Sequence, residues 1–264
     1  MAVTVETHTT LAEAARALAL GGVYMGGGTG VMHGINEGTL QGRVIRATDP
    51  ALRAIRATGE GVSLGAGVTM AQVLATPDLA FLHPAARAVG GPQVRVMGTV
   101  GGNLFAPHPY GDFAAALLAL GARAVMAAGS HRALEDLLRD RDRPGLVAAL
   151  EVPRPRELRA FVFAKVQRGK ARGGSGLSMA AHLPREGGRL RGVRVAYGAM
   201  APAPIRAASV ERVLEGATLD AATIARAVAV AAEGITPPTD PVATGWYRAQ
   251  VVGVHLRRLL ERMV

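Results

Sequence analysis

Two glycine-rich stretches, GGGTG at Gly26–Gly30 and GTVGGN at Gly98–Asn103, decide how this chain is interpreted. Glycine has no Cβ and reaches backbone angles that other residues resist, so consecutive amides in such a stretch can converge on an anion. One such turn suits one phosphate, and two turns suit a diphosphate. The sequence therefore predicts a diphosphate site whose donors are the amides of residues 27–31 and 101–103.

An acidic residue follows the second glycine stretch. Asp112 directly precedes the apolar run Phe113–Leu120, which is typical of a helix. A carboxylate at a helix start can cap backbone amides, or it can accept a hydrogen bond from a ribose hydroxyl. Both roles remain open for Asp112.

Other phosphate-binding motifs are missing from the sequence. No Gly-x-Gly-x-x-Gly follows a predicted strand, which argues against a dinucleotide-binding Rossmann unit. The pair Gly169-Lys170 is followed by Ala171 and has no Walker-type glycine before it. The two glycine stretches therefore carry the prediction of phosphate binding.

The composition limits the chemistry that this chain can perform alone. Its 264 residues are 49% apolar and 19% charged, which is typical of a globular protein with one large or two smaller domains. The absence of cysteine excludes disulfides, thiolate zinc sites, a cysteinyl flavin and cysteine-ligated iron–sulfur clusters. The N-terminus shows no signal peptide, and we expect a cytoplasmic protein.

The net charge of +10 does not by itself indicate nucleic-acid binding. The arginines are scattered along the chain, and aromatic residues do not interleave with them to form a stacking surface. A docking surface for an acidic partner subunit is the better interpretation. Residues 17–36 carry no formal charge, but several glycines, His33 and Asn36 disfavour a membrane span.

The pattern of apolar residues and breakers predicts alternating helices and strands. The predicted helices are 11–20, with a capping box at Thr10 and Glu13, then 69–74, 84–89, 113–120, 210–214, 221–233 and 246–263. The predicted strands are 23–25, 44–47, 62–66, 161–163, 177–183 and 193–197, with a hairpin at Glu186-Gly187-Gly188. A strand, a hairpin and a helix are also predicted within residues 122–138. A Pro-, Arg- and Glu-rich stretch at 153–159 suggests a boundary between domains 1–155 and 156–264.

The second glycine stretch, its downstream Asp112 and several later segments resemble the FAD-binding subunit of the molybdenum hydroxylases. This is the family of xanthine dehydrogenase and of the medium subunit of aerobic carbon monoxide dehydrogenase. The matching segments run from Gly26–Gly30 through Gly98–Asn103, Pro109–Asp112 and Leu117–Ala122 to Tyr197–Arg206, Asp240–Val242 and Trp246–Arg248. The resemblance therefore covers nearly the whole chain.

The resemblance implies an α+β fold, in which a two-part FAD-binding domain of the vanillyl-alcohol-oxidase/xanthine-dehydrogenase type precedes a small α+β domain with an antiparallel sheet and helices. It implies FAD as cofactor, and it implies partners: an iron–sulfur small subunit and a molybdenum large subunit in a heterotrimer or its dimer. The implied FAD-binding residues are Tyr24, Met25, Gly26, Gly27, Gly28, Thr29, Gly30, Val31, Thr99, Val100, Gly101, Gly102, Asn103, Asp112, Val147 and Lys165. For Lys165, a solvated lysine on a strand is the alternative interpretation.

Departures from the family pattern keep other functions open. Where relatives commonly have an acidic residue after the lysine, this chain has residues 173–176, Gly-Gly-Ser-Gly, and Val89 stands where relatives can have an aromatic. The alternatives are a stand-alone flavin oxidoreductase of related fold and a flavin-free assembly or regulatory protein. We assign no catalytic residue, no metal ligand, and no role to His33 or His108.

Overall fold

The computed structural model describes residues 3–141, 145–167 and 173–264. The helices are α1 Leu11–Ala19, α2 Val31–Asn36, α3 Met70–Ala75, α4 His83–Ala88, α5 Pro92–Met97, α6 Val100–Leu104, α7 Asp112–Ala119, α8 Leu134–Arg139, α9 Ala208–Leu214, α10 Ala221–Ala229 and α11 Gly245–Glu261. The strands are β1 Val3–His8, β2 Val23–Tyr24, β3 Gly42–Ala47, β4 Ile55–Ala57, β5 Gly61–Gly65, β6 Arg123–Met126, β7 His131–Ala133, β8 Val147–Pro153, β9 Phe161–Val166, β10 Leu177–His182, β11 Arg185–Glu186, β12 Arg189–Leu190, β13 Arg194–Gly198 and β14 Ile205–Arg206.

A small parallel sheet opens the chain and carries the first glycine stretch. Its strand order is β1-β3-β2, with β1 and β2 both parallel to β3. The helix α1 covers it, and the predicted capping box is present, because the Thr10 hydroxyl accepts from the Glu13 amide while the Glu13 carboxylate accepts from the Thr10 amide. Ala14, Ala17, Ile45 and Leu146 form the buried core beneath this sheet.

The second layer is a five-stranded antiparallel sheet in the order β4-β5-β8-β6-β7. Its core also takes in residues from α3, α4, α6 and α7. Every residue of α7 is buried, and its sequence DFAAALLA is apolar on all sides apart from Asp112. A helix that is apolar all round is a buried helix, so α7 lies inside the molecule, in contact with β10 and β13 as well as with α6.

The C-terminal part is a four-stranded antiparallel sheet in the order β14-β13-β10-β9, covered by helices α9 to α11. Alternate residues of β10 face opposite sides: Leu177, Met179 and Ala181 enter the core shared with these helices, whereas Ala180 enters the core that contains α7. The sheet therefore separates two cores. The division of domains at residue 155 stays a prediction, since β8 ends at Pro153 and β9 begins at Phe161.

Most predicted elements are present, with differences at the ends and around the second glycine stretch. The predicted helix 221–233 ends at Ala229. Helices α2, α5 and α6 were not expected, and the last of them contains most of the GTVGGN stretch. Among the described residues, no helix is both long enough and apolar enough to cross a membrane.

Candidate functional site

The first glycine stretch connects β2 to α2 and leaves its backbone donors free. The loop is fixed at its two ends, where the Met25 amide donates to the Ile45 carbonyl (2.8 Å) and the Met32 amide donates to the Gly28 carbonyl (2.9 Å). Between these bonds, the six amides of residues 26–31 donate to no group among the residues that the structure describes. Six consecutive free donors on one loop suit a ligand with several anionic oxygens.

The two glycine stretches touch each other, and the contact requires glycine. A Cβ added to Gly27 would lie 1.6 Å from the Met97 carbonyl oxygen, and one added to Gly26 would lie 2.9 Å from the Thr99 hydroxyl oxygen. The backbone of the first loop therefore lies directly against the turn between α5 and α6. Any larger residue at position 27 would push the two stretches apart.

The second glycine stretch differs from the prediction, because its amides are already used. The Gly101 amide donates to the Ala66 carbonyl (2.9 Å), the Gly102 amide to the Thr99 hydroxyl (3.0 Å) and the Asn103 amide to the Thr99 carbonyl (3.0 Å). Thr99 is the N-cap of α6. The expectation of a second set of free amides at 101–103 is therefore wrong, and this stretch fixes the first loop in place instead.

The start of helix α7 is capped by the side chain of Asn103. The sequence had left this capping role open for Asp112. The Asn103 side-chain oxygen accepts from the Ala114 amide in the first turn of α7 (3.0 Å), and the residue in the N-cap position is Gly111. Asp112 is the first residue of the helix, and its carboxylate accepts from side chains. The interpretation of Asp112 as a helix cap is wrong.

Asp112 and Lys165 form a buried ion pair. The Lys165 Nζ lies 2.7 Å from the Asp112 Oδ2, and the two side chains are only 7% and 5% exposed. The ammonium also donates to the carbonyls of Ala88 (2.9 Å) and Gly173 (3.0 Å), so its three donors all have partners. The alternative of a solvated strand lysine is wrong, because this lysine is inside the protein.

Of the remaining predicted residues, Tyr24 and Met25 lead into the first glycine loop, and Val147 lies at the start of β8. Tyr24 is half-buried beside the small first core, and burial raises the pKa of its phenol. Met25 flanks Gly28, whose added Cβ would lie 3.4 Å from the Met25 sulfur. Val147 is buried at the start of β8. His33 is an exposed residue beside Glu37, whereas His108 is held between Asp240 and the Ala201 carbonyl.

Sequence reasoning missed the side chains that hold the ion pair. The hydroxyl of Ser175 donates to the second oxygen of Asp112, and Ser175 is fully buried. The guanidinium of Arg248, which is also fully buried, donates to the carbonyls of Ser175 (3.1 Å) and Gly176 (2.8 Å). The signal for Ser175 was its place in the unusual stretch 173–176, and Arg248 was quoted only as part of the resemblance.

The loop of free amides suits the diphosphate of a nucleotide cofactor. Residues 2–155 match the family described as FAD binding domain in molybdopterin dehydrogenase, and residues 162–263 match the CO dehydrogenase flavoprotein C-terminal domain. This chain belongs to the family of FAD-binding flavoprotein subunits of molybdopterin dehydrogenases. The prediction of FAD as cofactor and the family resemblance are both confirmed.

Characterised relatives and solved structures agree with this assignment. The chain is 30% identical to the carbon monoxide dehydrogenase medium chain of Afipia carboxidovorans, over 79% of this chain and 76% of that protein. It is 29% identical to the glyceraldehyde dehydrogenase medium chain of Sulfolobus acidocaldarius, over 77% and 76% of the two. The reconstituted CO dehydrogenase from Oligotropha carboxidovorans matches with a TM-score of 0.87 at 26% identity, covering 99% of this chain and 97% of that one. Quinoline 2-oxidoreductase from Pseudomonas putida 86 shares the fold, with a TM-score of 0.84 at 22% identity and coverage of 99% and 96%. The predicted fold class is therefore confirmed.

Proposed function

We propose that this chain is the electron-transfer subunit of a molybdenum-containing hydroxylase, in which FAD receives electrons from a partner iron–sulfur subunit and delivers them to a terminal acceptor. The observation that carries the proposal is the set of six free amides at residues 26–31. A diphosphate bears two negative charges and needs several donors, which backbone amides supply without long side chains. Bound FAD supplies the redox chemistry, because a flavin takes electrons singly and passes them on in pairs.

The chain's own residues would divide the work of holding FAD. Residues 26–31 would bind the diphosphate, with Tyr24 and Met25 leading into the loop. Thr99, Val100, Gly101, Gly102 and Asn103 would support that loop from behind, since the amides of residues 100–103 bond within the protein and Thr99 accepts two of these bonds. Asp112, Lys165 and Val147 would line another part of the FAD site. The ion pair between Asp112 and Lys165 would fix the position of the start of α7.

The cofactor is expected to be bound without a covalent link through cysteine, because the chain has none. Purified protein should show the visible absorption of oxidised flavin, or gain it when FAD is added, at one FAD per chain. Acid precipitation should release unmodified FAD into the supernatant. A chain that stays colourless in excess FAD would refute the proposal, and flavin left in the precipitate would refute the mode of attachment.

Exposed apolar side chains beside the first loop support a partner that covers it. Met32, Val96 and Met97 are 45%, 57% and 54% exposed. Met32 and Met97 flank the glycine loop on two sides, since an added Cβ at Gly28 would lie 3.5 Å from Met32 Cγ and one at Gly27 would meet the Met97 carbonyl. Apolar residues grouped at one place on a surface are typical of an interface.

We therefore propose that an iron–sulfur small subunit docks on this face, with a molybdenum large subunit completing a heterotrimer or its dimer. The chain's net charge of +10 suits an acidic partner, and association should weaken with salt. Affinity purification from the native cell should recover a cysteine-rich iron–sulfur protein and a large molybdenum protein. Recovery of the chain as a lone flavoenzyme that oxidises a small molecule would favour the stand-alone alternative instead. The cytoplasmic location stays a prediction.

One observation weighs against the flavin-free alternative, which rested on the departure at residues 173–176. Ser175 in this stretch donates to Asp112, and the Gly173 carbonyl accepts from Lys165. Residues 173–176, although they depart from the family pattern, therefore provide a hydrogen-bond partner to each member of the ion pair. Spectra taken with and without added FAD decide between the two functions.

A further inference from the structure

A continuous chain of polar contacts leads from the buried ion pair to the last helix of the protein. It begins with Lys165 and Asp112, which are joined at 2.7 Å. The second carboxylate oxygen of Asp112 accepts from the Ser175 hydroxyl. Ser175 is itself fixed through its backbone, because its amide donates to the Pro109 carbonyl (3.2 Å) and its carbonyl accepts from Arg248 on α11 (3.1 Å).

Arg248 is fully buried, and each of its five donors has an acceptor. Two bonds hold the carbonyls of Ser175 and Gly176, and two more hold those of Pro238 (2.6 Å) and Ala243 (2.9 Å). The fifth goes to the Asp240 carboxylate at 2.7 Å. A guanidinium has five N–H donors in a fixed planar geometry, so this arrangement uses its whole bonding capacity.

Asp240 is the counter-ion at the far end of the chain of contacts. Burial would raise the pKa of its carboxyl, but the amides of Ala243 and Val242 and the Arg248 guanidinium together hold the pKa below its ordinary value. The same carboxylate lies 2.6 Å from the His108 Nε2. The stretch 107–110, the stretch 173–176 and the start of α11 are thereby joined in one place.

A buried, fully bonded arginine is a costly way to gain stability alone, because taking a charge out of water opposes the attraction that it makes inside. Two of the Arg248 bonds have a specific structural effect, because they fix the backbone at Gly176 and at Ser175, the residue that contacts Asp112. We propose that Ser175 and Arg248 are positioning residues for the FAD site: Arg248 fixes the 175–176 backbone, and Ser175 orients the Asp112 carboxylate that pairs with Lys165. This inference rests on the proposed function, since it assigns these two residues to the affinity for FAD.

The chain offers a matched control for the test. Ser178 is also fully buried, lies directly opposite Lys165 on the neighbouring strand β10, and has a hydroxyl without a partner among the described residues. Ser175→Ala and Ser178→Ala each remove one buried hydroxyl, but only the first removes a bond to Asp112. Titration of FAD into the full-length apoprotein, followed by flavin fluorescence, measures the difference.

We expect Ser175→Ala to weaken FAD binding about tenfold, which is the effect of one hydrogen bond to a charged group. Ser178→Ala should stay within about twofold of the wild type. Arg248→Lys, which keeps the charge but loses the planar set of donors, should weaken binding at least as much as Ser175→Ala. The circular dichroism of the bound flavin should change in Ser175→Ala and Arg248→Lys, and stay unchanged in Ser178→Ala.

A pH profile separates positioning from a general loss of stability. Ser175→Asp places a second carboxylate against Asp112, and two such groups in contact strongly raise one pKa. FAD binding by this variant should therefore strengthen as the pH falls from about 8 to 5, because a proton shared by the pair restores a donor to Asp112. The charged groups facing this place are Lys165 and, further along the chain of contacts, Arg248, Asp240 and His108. The wild type carries all of them, so its profile over the same range is the control.

The outcomes are distinct. Wild-type protein that binds no FAD overturns the proposed function and this inference with it. Wild-type binding together with equal affinities for Ser175→Ala and Ser178→Ala overturns only the inference, even if Ser175→Ala melts earlier. Tighter binding by Ser175→Ala also overturns it, since the hydroxyl would then compete with the cofactor for Asp112.

Discussion

Gly27→Ala is the substitution that tests the position of the cofactor most directly. The added methyl group would lie 1.6 Å from the Met97 carbonyl oxygen and 3.2 Å from the Thr99 Cγ2. Real Cβ atoms essentially never approach closer than 3.0 Å, so the first loop must retreat by about 1.4 Å from the turn that supports it. A hydrogen bond lengthened by that distance is lost.

The expected magnitude follows from the number of donors affected. Loss of one or two amide bonds to a phosphate oxygen, each worth about 1.5–3 kcal/mol for a charged acceptor, weakens FAD binding roughly 10- to 20,000-fold. Overpacking should also destabilise the fold by about 1–3 kcal/mol. Fluorescence titration with FAD and thermal melting of the apoprotein measure the two effects separately.

The control for this experiment is Gly59→Ala. Gly59 lies in the turn between β4 and β5, and an added Cβ there has no atom within 4 Å. Its affinity for FAD and its melting temperature should match those of the wild type. If Gly27→Ala binds FAD as tightly as Gly59→Ala does, the diphosphate does not lie on residues 26–31 and the site must be placed elsewhere.

Two further substitutions test the supports of the site, and a third tests the pH dependence of stability. Asn103→Ala removes the bond to the Ala114 amide and should lower the free energy of unfolding by about 0.5–2 kcal/mol, measured by urea denaturation. Asp112→Ala leaves the Lys165 ammonium buried without its counter-ion, so it should lower the free energy of unfolding by about 3–5 kcal/mol. It should also lower the affinity for FAD about 10- to 100-fold. Unchanged affinity in a destabilised variant would limit Asp112 to a structural role. Burial, and to a smaller extent the nearby Arg194 charge, lower the pKa of His182 from 6.5 to about 4. The unfolded chain therefore takes up a proton at this residue at a higher pH than the folded protein does. As a result, the free energy of unfolding falls as the pH drops from 6.5 towards 4. His182→Gln should remove about 1–2 kcal/mol of that loss, after allowance for the partial exposure of the ring, and equal acid sensitivity in both proteins would refute the assignment.

The sequence was sufficient where a local pattern determines the structure. The capping box at Thr10 and Glu13 marks the start of α1, and the strand β10 follows its alternating pattern of apolar residues. Such features depend on contacts within a few residues, so they can be read without knowledge of the fold. The first glycine loop belongs to the same group, since its free amides follow from its own glycines.

The sequence was insufficient where the partner of a polar group lies far along the chain. The amide of Gly101 bonds to Ala66, and the carboxylate of Asp112 bonds to Lys165 and Ser175. Local spacing made Asp112 a candidate cap and left Asn103 as a cofactor ligand, but the fold gives the cap to Asn103. Helix α5 was missed for a local reason, because Val94 and Val96 favour a strand while Pro92 at the first helical position favours a helix.

The two glycine stretches therefore owe their glycines to different requirements. An added Cβ at Gly101 would lie 2.8 Å from the Ala66 Cβ and carbonyl oxygen, so this glycine allows α6 to pack against the residue that follows β5. At residues 26–31 the amides have no acceptor in the part of the chain that the structure describes, and the contact of Gly27 with Met97 holds the loop while leaving those donors free. A substitution at Gly101 should act first on the stability of the fold, and one at Gly27 should act first on the affinity for the diphosphate. The second glycine stretch is thus the scaffold, and the first glycine stretch carries the donors. Recognition depends on both, because the donors can converge on a ligand only while the scaffold keeps the loop in place.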